Sequence, residues 1–253
     1  MTRLFHPPRH FWLLVLLLTV VALFWLATIR EGHVWGGDFS LYLHHARNLL
    51  AGLPYAETGY ILNPADPVVS PQSYPPVFPL LLVPFYYLFG FNLTLFKLAA
   101  VFGFLLFLAL FIILVRKDLP FSALFALILT FAFNPFLWDF KDDIRSDIPF
   151  LLFTYAALHF AYHRSLRTGQ SRRLEIKTAV LTALFCYLAY GTRTLGLVLP
   201  VVIILFDLVK QRRITLYAGV VGLTFVVGVG LQVLFSPPAA IGSSMSLIRL
   251  PIV

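Results

Sequence analysis

The sequence has few charged residues and almost no cysteine. Only 12% of its 253 residues are charged, and Cys186 is its single cysteine. One cysteine excludes an intrachain disulfide, and its position in an apolar run gives no information on the redox compartment. The sequence also lacks a glycine-rich phosphate loop, an internal repeat and a low-complexity tract. The sequence therefore shows no signature of a nucleotide-binding enzyme or of a soluble domain.

Hydrophobic residues make up 60% of the chain and fall in long runs. Such runs are typical of polytopic membrane proteins, so we expect membrane lipids as partners. The net charge is +8, a value that nucleic-acid-binding proteins also show. The basic residues, however, form short clusters between apolar runs, as membrane topology signals do. We therefore expect no nucleic acid partner.

The first apolar run, residues 11–29, follows Arg3 and Arg9 in the way that a signal peptide does. It is longer than a signal-peptide core and lacks a small-residue cleavage site, so we interpret it as a retained helix. Its 19 residues make about 28 Å of helix, enough to cross the hydrocarbon core.

The apolar runs predict an all-α membrane protein with about seven transmembrane helices in a single unit, residues 1–253. The predicted spans are 11–29, 92–115, 121–137, 148–162, 178–190, 195–209 and 214–235. A first outer loop covers residues 30–91 and a second covers 138–147. Within the first loop, residues 39–50 have helical spacing of apolar residues, and residues 74–90 are apolar but contain four prolines. The first loop should therefore carry one or two interfacial helices, of which 74–90 could also be re-entrant.

The distribution of charge predicts a cytoplasmic N-terminus. With that orientation, 12 of the 19 basic residues lie in inner loops and eight of the 11 acidic residues lie outside. The basic residues are Arg3, Arg9, Arg116, Lys117, Arg164, Arg167, Arg172, Arg173, Lys177, Lys210, Arg212 and Arg213. The acidic residues are Glu31, Asp38, Glu57, Asp66, Asp139, Asp142, Asp143 and Asp147. A crossing by residues 74–90 would reverse everything after it and violate the positive-inside rule.

Charged groups from three outer segments are expected to meet. Asp38 follows Gly36 and Gly37 and can cap the helix that begins after it. The second loop and the turn between the fifth and sixth spans add a dense set of charges, namely Asp139, Lys141, Asp142, Asp143, Arg145, Asp147 and Arg193. Charges at a membrane boundary are costly unless they are paired or functional. A carboxylate beside cations suits activation of a hydroxyl while the cations hold a phosphate.

Four segments resemble the GT-C superfamily of membrane glycosyltransferases, in the order GGDFSLYLHHARNLLAGLPY, YPPVFPLLLVPFYYLFGFN, DDIRSDIPF and TRTLGL. The likeness is to the branch of protein O-mannosyltransferases, or dolichyl-phosphate-mannose mannosyltransferases, and of aminoarabinose transferases. It implies inverting transfer of a sugar from a polyprenyl-phosphate donor to a hydroxyl of a lipid, glycan or protein. The reaction would take place on the outer face of the cell (inner) membrane. Relatives continue with further spans, so we expect the chain to be a fragment or a minimal form of the shared core.

The resemblance also implies roles for individual residues. It makes Asp38 the catalytic base, Asp147 with nearby Asp143 the second acidic site, and Arg193 the phosphate-binding residue, assisted by Arg145 or Lys141. Many relatives have two adjacent acids in the first loop, whereas Phe39 follows Asp38 here. Relatives differ in metal dependence, so no cofactor is certain. The ligands of a divalent metal ion would come from Asp38, Asp142, Asp143 and Asp147.

Simpler interpretations compete with these roles. Asp38 could serve only as a helix cap, Arg193 could only stabilise a helix C-terminus, and the loop acids could form a solvated face. His159 and His163 have the i, i+4 spacing of a metal pair, although packing explains them as well. For the whole chain, a membrane transporter and a non-catalytic membrane subunit remain alternatives. The scarcity of charge inside the apolar runs argues against a transporter.

Overall fold

A computed structural model describes residues 9–33, 37–59, 73–166 and 171–235. Arg3, Gly36, Asp66 and Arg167, which enter the sequence arguments, lie outside these ranges. All regular elements in the described ranges are helices. They are α1 (Arg9–Ala27), α2 (Phe39–Ala51), α3 (Val77–Phe89), α4 (Leu93–Phe96), α5 (Leu98–Val115), α6 (Phe121–Ala132), α7 (Pro135–Phe140), α8 (Asp147–Leu166), α9 (Arg172–Thr192), a 3-10 turn (Thr194–Leu197), α10 (Val198–Gln211) and α11 (Leu216–Phe235).

Five helical segments in the described ranges are long and apolar enough to cross a membrane. They are His10–Ala27, Leu93–Val115, Arg172–Thr192, Thr194–Gln211 and Leu216–Leu234. Each coincides with one of the seven predicted spans, with boundaries shifted by a few residues. The chain is thus a multi-pass, all-α membrane protein, and the predicted fold class is confirmed. The two remaining predicted spans correspond to α6 with α7 and to α8.

The predicted span 121–137 consists of two short helices. The side chain of Asn134 accepts hydrogen bonds from the N–H groups of Phe136 and Leu137, so it ends one helix and caps the next. Helix α6 has 12 residues, about 18 Å, which is too short to cross alone. Sequence hydropathy missed the break because both helices are apolar.

Helices α6 and α7 together follow α1 along its length. At one end the rings of His10 and Phe121 lie 4.4 Å apart. At the other end Trp25 Nε1 donates to the carbonyl of Ala132 at 3.0 Å. Trp138 of α7 then donates to Thr28, just beyond α1. The two short helices therefore cover the same distance as one transmembrane helix.

Helix α8 has 20 residues and packs lengthwise on α5. It contains Asp147, two histidines and Arg164, and it is less apolar than the five segments above. Ile148 at its start lies against Gly103. Tyr155, about two helical turns later, packs on Phe107 and Phe111. The two helices therefore run in the same direction.

Ion pairs define the two ends of the bundle. At the Asp147 end, Arg193 after α9 pairs with Asp147 at the start of α8. At the Asp207 end, Arg164 near the end of α8 pairs with Asp207 of α10 at 2.7 Å and with Glu175 of α9 at 3.1 Å. These contacts make α8, α9 and α10 alternate in direction between the two ends.

The proline-rich helix α3 stays at the Asp147 end. Val77 at its start touches Gly191 near the end of α9, and the ring of Tyr86 near its end lies 5.5 Å from Phe96, just before α5. Its 13 residues extend about 20 Å. Its contacts thus keep both of its ends at the Asp147 end of the bundle. It also packs on α2, where Tyr42 meets the ring of Phe78 edge to face at 4.9 Å.

Two apolar cores hold the long helices together. One joins α1, α5, α6 and α8, with the rings of Trp25 and Phe104 stacked 3.9 Å apart. The other joins α8 to α11 and contains the small residues Ala157, Ala179 and Ala183. Small side chains let membrane helices approach closely, which gives dispersion contacts that lipid cannot replace.

Candidate functional site

A cavity of about 200 Å³ opens at the Asp147 end. It lies between the start of α2, the loop before α8 and the turn after α9. Its lining contains His33, Gly37, Asp38, Phe39, Tyr42, Ile144, Arg145, Ser146, Asp147 and Arg193. The cavity thus brings together Asp38, Arg145, Asp147 and Arg193, which the sequence selected from three separate segments.

Asp38 lies at the N-cap position of α2, but its side chain makes no capping hydrogen bond. The carboxylate therefore does not form the cap expected from the sequence. The backbone carbonyl of Asp38 accepts a hydrogen bond from the backbone N–H of Tyr42 at 3.2 Å. Gly37 before it has φ +85°, a conformation that side chains disfavour. Among the described residues the Asp38 carboxylate has no hydrogen-bond or ion-pair partner. It is exposed and available to a ligand.

Tyr42 lies one helical turn after Asp38 and faces the same cavity. Its hydroxyl is 3.3 Å from Ser146 Oγ. Burial raises the pKa of Tyr42; the hydrogen bond to Ser146 lowers it in part, and the negative charge of Asp38 raises it further. The phenol therefore remains protonated at neutral pH and can donate a hydrogen bond beside Asp38.

Asp147 and Arg193 form an ion pair in the cavity wall, in which Arg193 Nη1 donates to Asp147 Oδ1. Asp147 is the first residue of α8, where the helix dipole favours a negative charge. The Arg193 side chain is 43% exposed and that of Asp147 is 31% exposed. Such a partly exposed pair adds little stability, and the remaining N–H donors of Arg193 can reach a ligand.

A tight turn holds Arg193 in place. Helix α9 ends at Thr192, and Arg193 is extended, with its N–H bonded to the carbonyl of Ala189 at 2.9 Å. Its carbonyl accepts from Gly196 at 2.8 Å. A Cβ atom at Gly196 would collide with the backbone of Ala189 and Tyr190. Only glycine therefore fits this position in the turn.

Arg145 and Asp143 pair at the rim of the cavity. Arg145 Nε lies 2.9 Å from Asp143 Oδ2, and the Arg145 guanidinium lies over the ring of Phe140 at 5.3 Å. Arg145 lines the cavity and is 51% exposed, whereas Asp143 is buried and does not line it. The structure thus places Asp143 behind Arg145.

Lys141 and Asp142 belong to a separate buried cluster. Asp142 accepts hydrogen bonds from the backbone N–H and the Nε of Arg30, both at 2.8 Å, and also pairs with Lys141. Lys141 is fully buried and donates to the carbonyl of Thr28 at 2.6 Å, and Lys97 donates to the carbonyl of Arg30 at 2.7 Å. This cluster fastens the end of α1 to the second loop. Lys141 and Asp142 therefore lie outside the cavity.

The same contacts control the ionisation of this cluster. Burial alone would raise the pKa of Asp142, but hydrogen bonds from Lys141 and Arg30 outweigh it and lower the pKa. Hydrogen bonds to Asp139 and Asp142 raise the pKa of Arg30. Both groups stay charged at neutral pH.

The carboxylates do not assemble into a metal site. Over the described ranges, no three His, Cys, Asp or Glu side chains form a group that could hold a metal ion. Asp142 and Asp147 already accept hydrogen bonds from cationic side chains. Asp38, Asp142, Asp143 and Asp147 therefore do not fit a shared divalent ion.

Sequence reasoning missed His33, Tyr42 and Ser146 as cavity residues. His33 Nε2 accepts from the N–H of Ile144 at 2.9 Å, and its ring stacks on Phe39 at 4.0 Å. The i, i+4 spacing from Asp38 could have indicated Tyr42, and its position next to Asp147 could have indicated Ser146. No pattern in the sequence indicates His33.

His45 and Tyr55 have structural roles rather than cavity roles. His45 Nδ1 lies 2.8 Å from the carbonyl of Tyr55, and its Nε2 accepts from the N–H of Tyr74 at 3.3 Å. The Tyr55 hydroxyl donates to the carbonyl of Tyr74 at 2.7 Å. Burial lowers the pKa of His45, so the neutral ring ties α2 to the segment before α3.

Comparison with known proteins supports the fold. No model of a known protein family matches the sequence, and no curated protein sequence matches it. Among solved structures, the crystal structure of ArnT from Cupriavidus metallidurans bound to undecaprenyl phosphate is similar, with a TM-score of 0.64 and 20% sequence identity. The match covers 91% of this chain but only 43% of the ArnT chain, so this chain spans less than half of that length. The chain therefore shares the fold of this part of the ArnT structure, and the likeness does not distinguish the mannosyltransferase branch that the sequence suggested.

Proposed function

We propose that this chain carries the site of an inverting glycosyltransferase, which moves a sugar from a polyprenyl-phosphate donor to an acceptor hydroxyl. One observation carries the proposal: a single cavity combines the unpaired carboxylate of Asp38 with the guanidinium groups of Arg145 and Arg193. The similar fold of ArnT, crystallised with undecaprenyl phosphate, supports the choice of donor.

Arg193 and Arg145 are proposed to bind the donor phosphate. Each already pairs with one carboxylate, but a guanidinium has five N–H donors and can hold a phosphate as well. Negative charge builds up on the phosphate as its bond to the anomeric carbon breaks. Fixed cations beside that oxygen lower the energy of the transition state.

Asp38 is proposed to act as the general base. The acceptor oxygen forms a bond to the anomeric carbon while its proton moves to the Asp38 carboxylate. The bond between the anomeric carbon and the phosphate oxygen breaks, and its electron pair leaves with the polyprenyl phosphate. Attack from the face opposite the leaving group inverts the anomeric centre. Asp147 does not take the proton; it positions Arg193.

The charge distribution supports an extracytoplasmic location for the Asp147 end. Helices that run toward the Asp207 end finish in basic residues, either in the last turn or just after it, namely Arg116, Lys117, Lys210, Arg212 and Arg213. The positive-inside rule then places the Asp207 end in the cytoplasm. The cavity would face the opposite side of the cell (inner) membrane.

The test compares donor binding with transfer. Wild-type protein in nanodiscs would be assayed for binding of undecaprenyl phosphate. Its release from a panel of undecaprenyl-phosphate sugars would be assayed with an added sugar, or water, as the acceptor hydroxyl. Arg193→Gln should weaken binding at least tenfold, whereas Asp38→Asn should leave binding within twofold and reduce release at least 100-fold. Release at the wild-type rate by Asp38→Asn would refute the assignment of the base, and the exposed Arg213→Gln provides the matched control.

A further inference from the structure

A second, larger cavity of about 460 Å³ lies between α2 and α3. Its lining residues are Gly37, Phe39, Ser40, Leu43, His44, Arg47, Tyr86 and Phe91. The proposed transfer reaction needs a place for the acceptor as well as for the donor, and the smaller cavity accounts only for the donor phosphate and the base. The residues that line the larger cavity can therefore indicate what kind of acceptor the protein binds.

The polar wall of this cavity is basic. Ser40, His44 and Arg47 follow one another at four- and three-residue steps on α2, so they lie on one face of the helix, and all three are exposed. None of the described residues that line the cavity carries a carboxylate. Over the described ranges Arg47 has no ion-pair or hydrogen-bond partner. The described part of the cavity wall thus presents a positive charge to a ligand.

The opposite wall is aromatic. Tyr86 comes from α3, and Phe91 follows it with 65% of its surface exposed. Aromatic faces bind the C–H surface of a sugar ring and leave its hydroxyl groups free for hydrogen bonds. A sugar ring with an anionic substituent matches both walls of the cavity.

The larger cavity also adjoins the proposed base. Gly37 and Phe39, the neighbours of Asp38 on either side, line both cavities. Asp38 itself lines only the smaller cavity, and Arg47 lies nine residues, about 13 Å, further along α2. A molecule held by Arg47 and Tyr86 therefore reaches the Asp38 carboxylate only by extending past Gly37 and Phe39. From there an acceptor hydroxyl could give its proton to Asp38.

We propose that the larger cavity is the acceptor subsite, and that it selects an acceptor sugar carrying a phosphate or carboxylate group. Arg47 binds the anionic group, assisted by His44, while Tyr86 and Phe91 contact the ring. The assignment as an acceptor site rests on the proposed glycosyltransferase function. The preference for an anionic sugar rests on the cavity alone and can be tested by itself.

The binding test uses glucose 6-phosphate and glucose as probes, with protein in phosphatidylcholine nanodiscs. We expect wild-type protein to bind glucose 6-phosphate at least tenfold more tightly than glucose. Arg47→Gln should abolish this preference, and Arg47→Lys should retain part of it. Arg213→Gln, an exposed arginine at the Asp207 end, is the matched control and should behave as wild type. Circular dichroism and size-exclusion profiles would confirm that each variant is folded.

Two further arms identify the source of the anion and separate this proposal from the previous one. Competition by phosphatidylglycerol in the nanodisc would indicate a lipid headgroup, and no competition would indicate an anionic group on a glycan. Undecaprenyl phosphate binding on the same samples should depend on Arg193 and not on Arg47. If wild-type protein prefers glucose 6-phosphate but does not bind undecaprenyl phosphate, the result counts against the donor site only. An unchanged preference in Arg47→Gln, or its loss in Arg193→Gln instead, would overturn the acceptor subsite.

Discussion

At the scale of single residues, the second loop places neighbouring charges in two different environments. Asp142 is buried among Arg30, Lys97 and Lys141, whereas Asp147, five residues later, lines the cavity. Removing one partner of a buried ion pair leaves the other charge uncompensated, which costs more than the pair contributes. Exposed carboxylates such as Asp38 carry no such penalty.

Asp142→Asn should therefore lower the free energy of unfolding by about 3 kcal/mol. Asp38→Asn should change it by no more than about 0.5 kcal/mol. Thermal and denaturant unfolding of the purified protein would measure both. Equal stability of the two variants would contradict the separation of the loop into a buried cluster and a cavity wall.

The neutral state of His45 predicts a pH dependence of stability. Because burial lowers its pKa in the folded protein, the unfolded chain binds the proton more readily. The contribution of His45 is complete above its ordinary pKa of about 6.5 and is lost as the pH falls through the lowered folded-state pKa. Unfolding followed between pH 5 and 8 should show this loss, and His45→Gln should flatten the profile in that range. A profile that His45→Gln leaves unchanged would exclude the histidine as the cause.

At the scale of elements, the turn after α9 depends on glycine for a steric reason. Gly196 faces the backbone of Ala189 and Tyr190, whereas a Cβ atom at Gly219 in α11 would meet nothing within 4 Å. The two glycines thus form a natural pair for comparison.

Gly196→Ala should displace Arg193 and weaken undecaprenyl phosphate binding at least tenfold. Gly219→Ala should leave binding unchanged and stabilise the helix by about 0.5–1 kcal/mol, because alanine has the higher helix propensity. Binding and unfolding measurements on both variants would check this. Wild-type binding by a folded Gly196→Ala variant would show that the turn does not set the position of Arg193.

The apolar runs predicted the helical fold class and the positions of five long apolar helices, but not the ends of the helices or the break in residues 121–137. Helix α9 begins at Arg172 rather than at the predicted residue 178. The ion pair between Arg164 of α8 and Glu175 holds the charged first turn of α9 against α8. The charged cavity residues Asp38, Arg145, Asp147 and Arg193 could be selected from the sequence, because each lies close to the start of a predicted helix, whereas His33 could not. The burial of Lys141 could not be predicted, because neighbouring loop residues point in directions that only tertiary contacts determine.

At the scale of the whole molecule, the helices alternate between two ends, and the proposed orientation can be measured directly. Glu31 is exposed at the Asp147 end and Arg213 at the Asp207 end, while Cys186 is buried. In a Cys186→Ala background, Glu31→Cys should react with a membrane-impermeant maleimide from outside intact cells. Arg213→Cys should react only after the cells are opened. Labelling of both positions from the same side would contradict the proposed orientation.

The contact between Gly191 and Val77 joins α3, which lines the larger cavity, to the end of α9, which precedes Arg193 in the smaller cavity. Val77 fills the space where a side chain at Gly191 would lie, so the start of α3 rests directly on α9 two residues before Arg193. The far part of α3 supplies Tyr86 to the larger cavity. A ligand that shifted α3 would therefore also press on the end of α9 that precedes Arg193, so we expect occupancy of the larger cavity to change the affinity of the smaller cavity for phosphate.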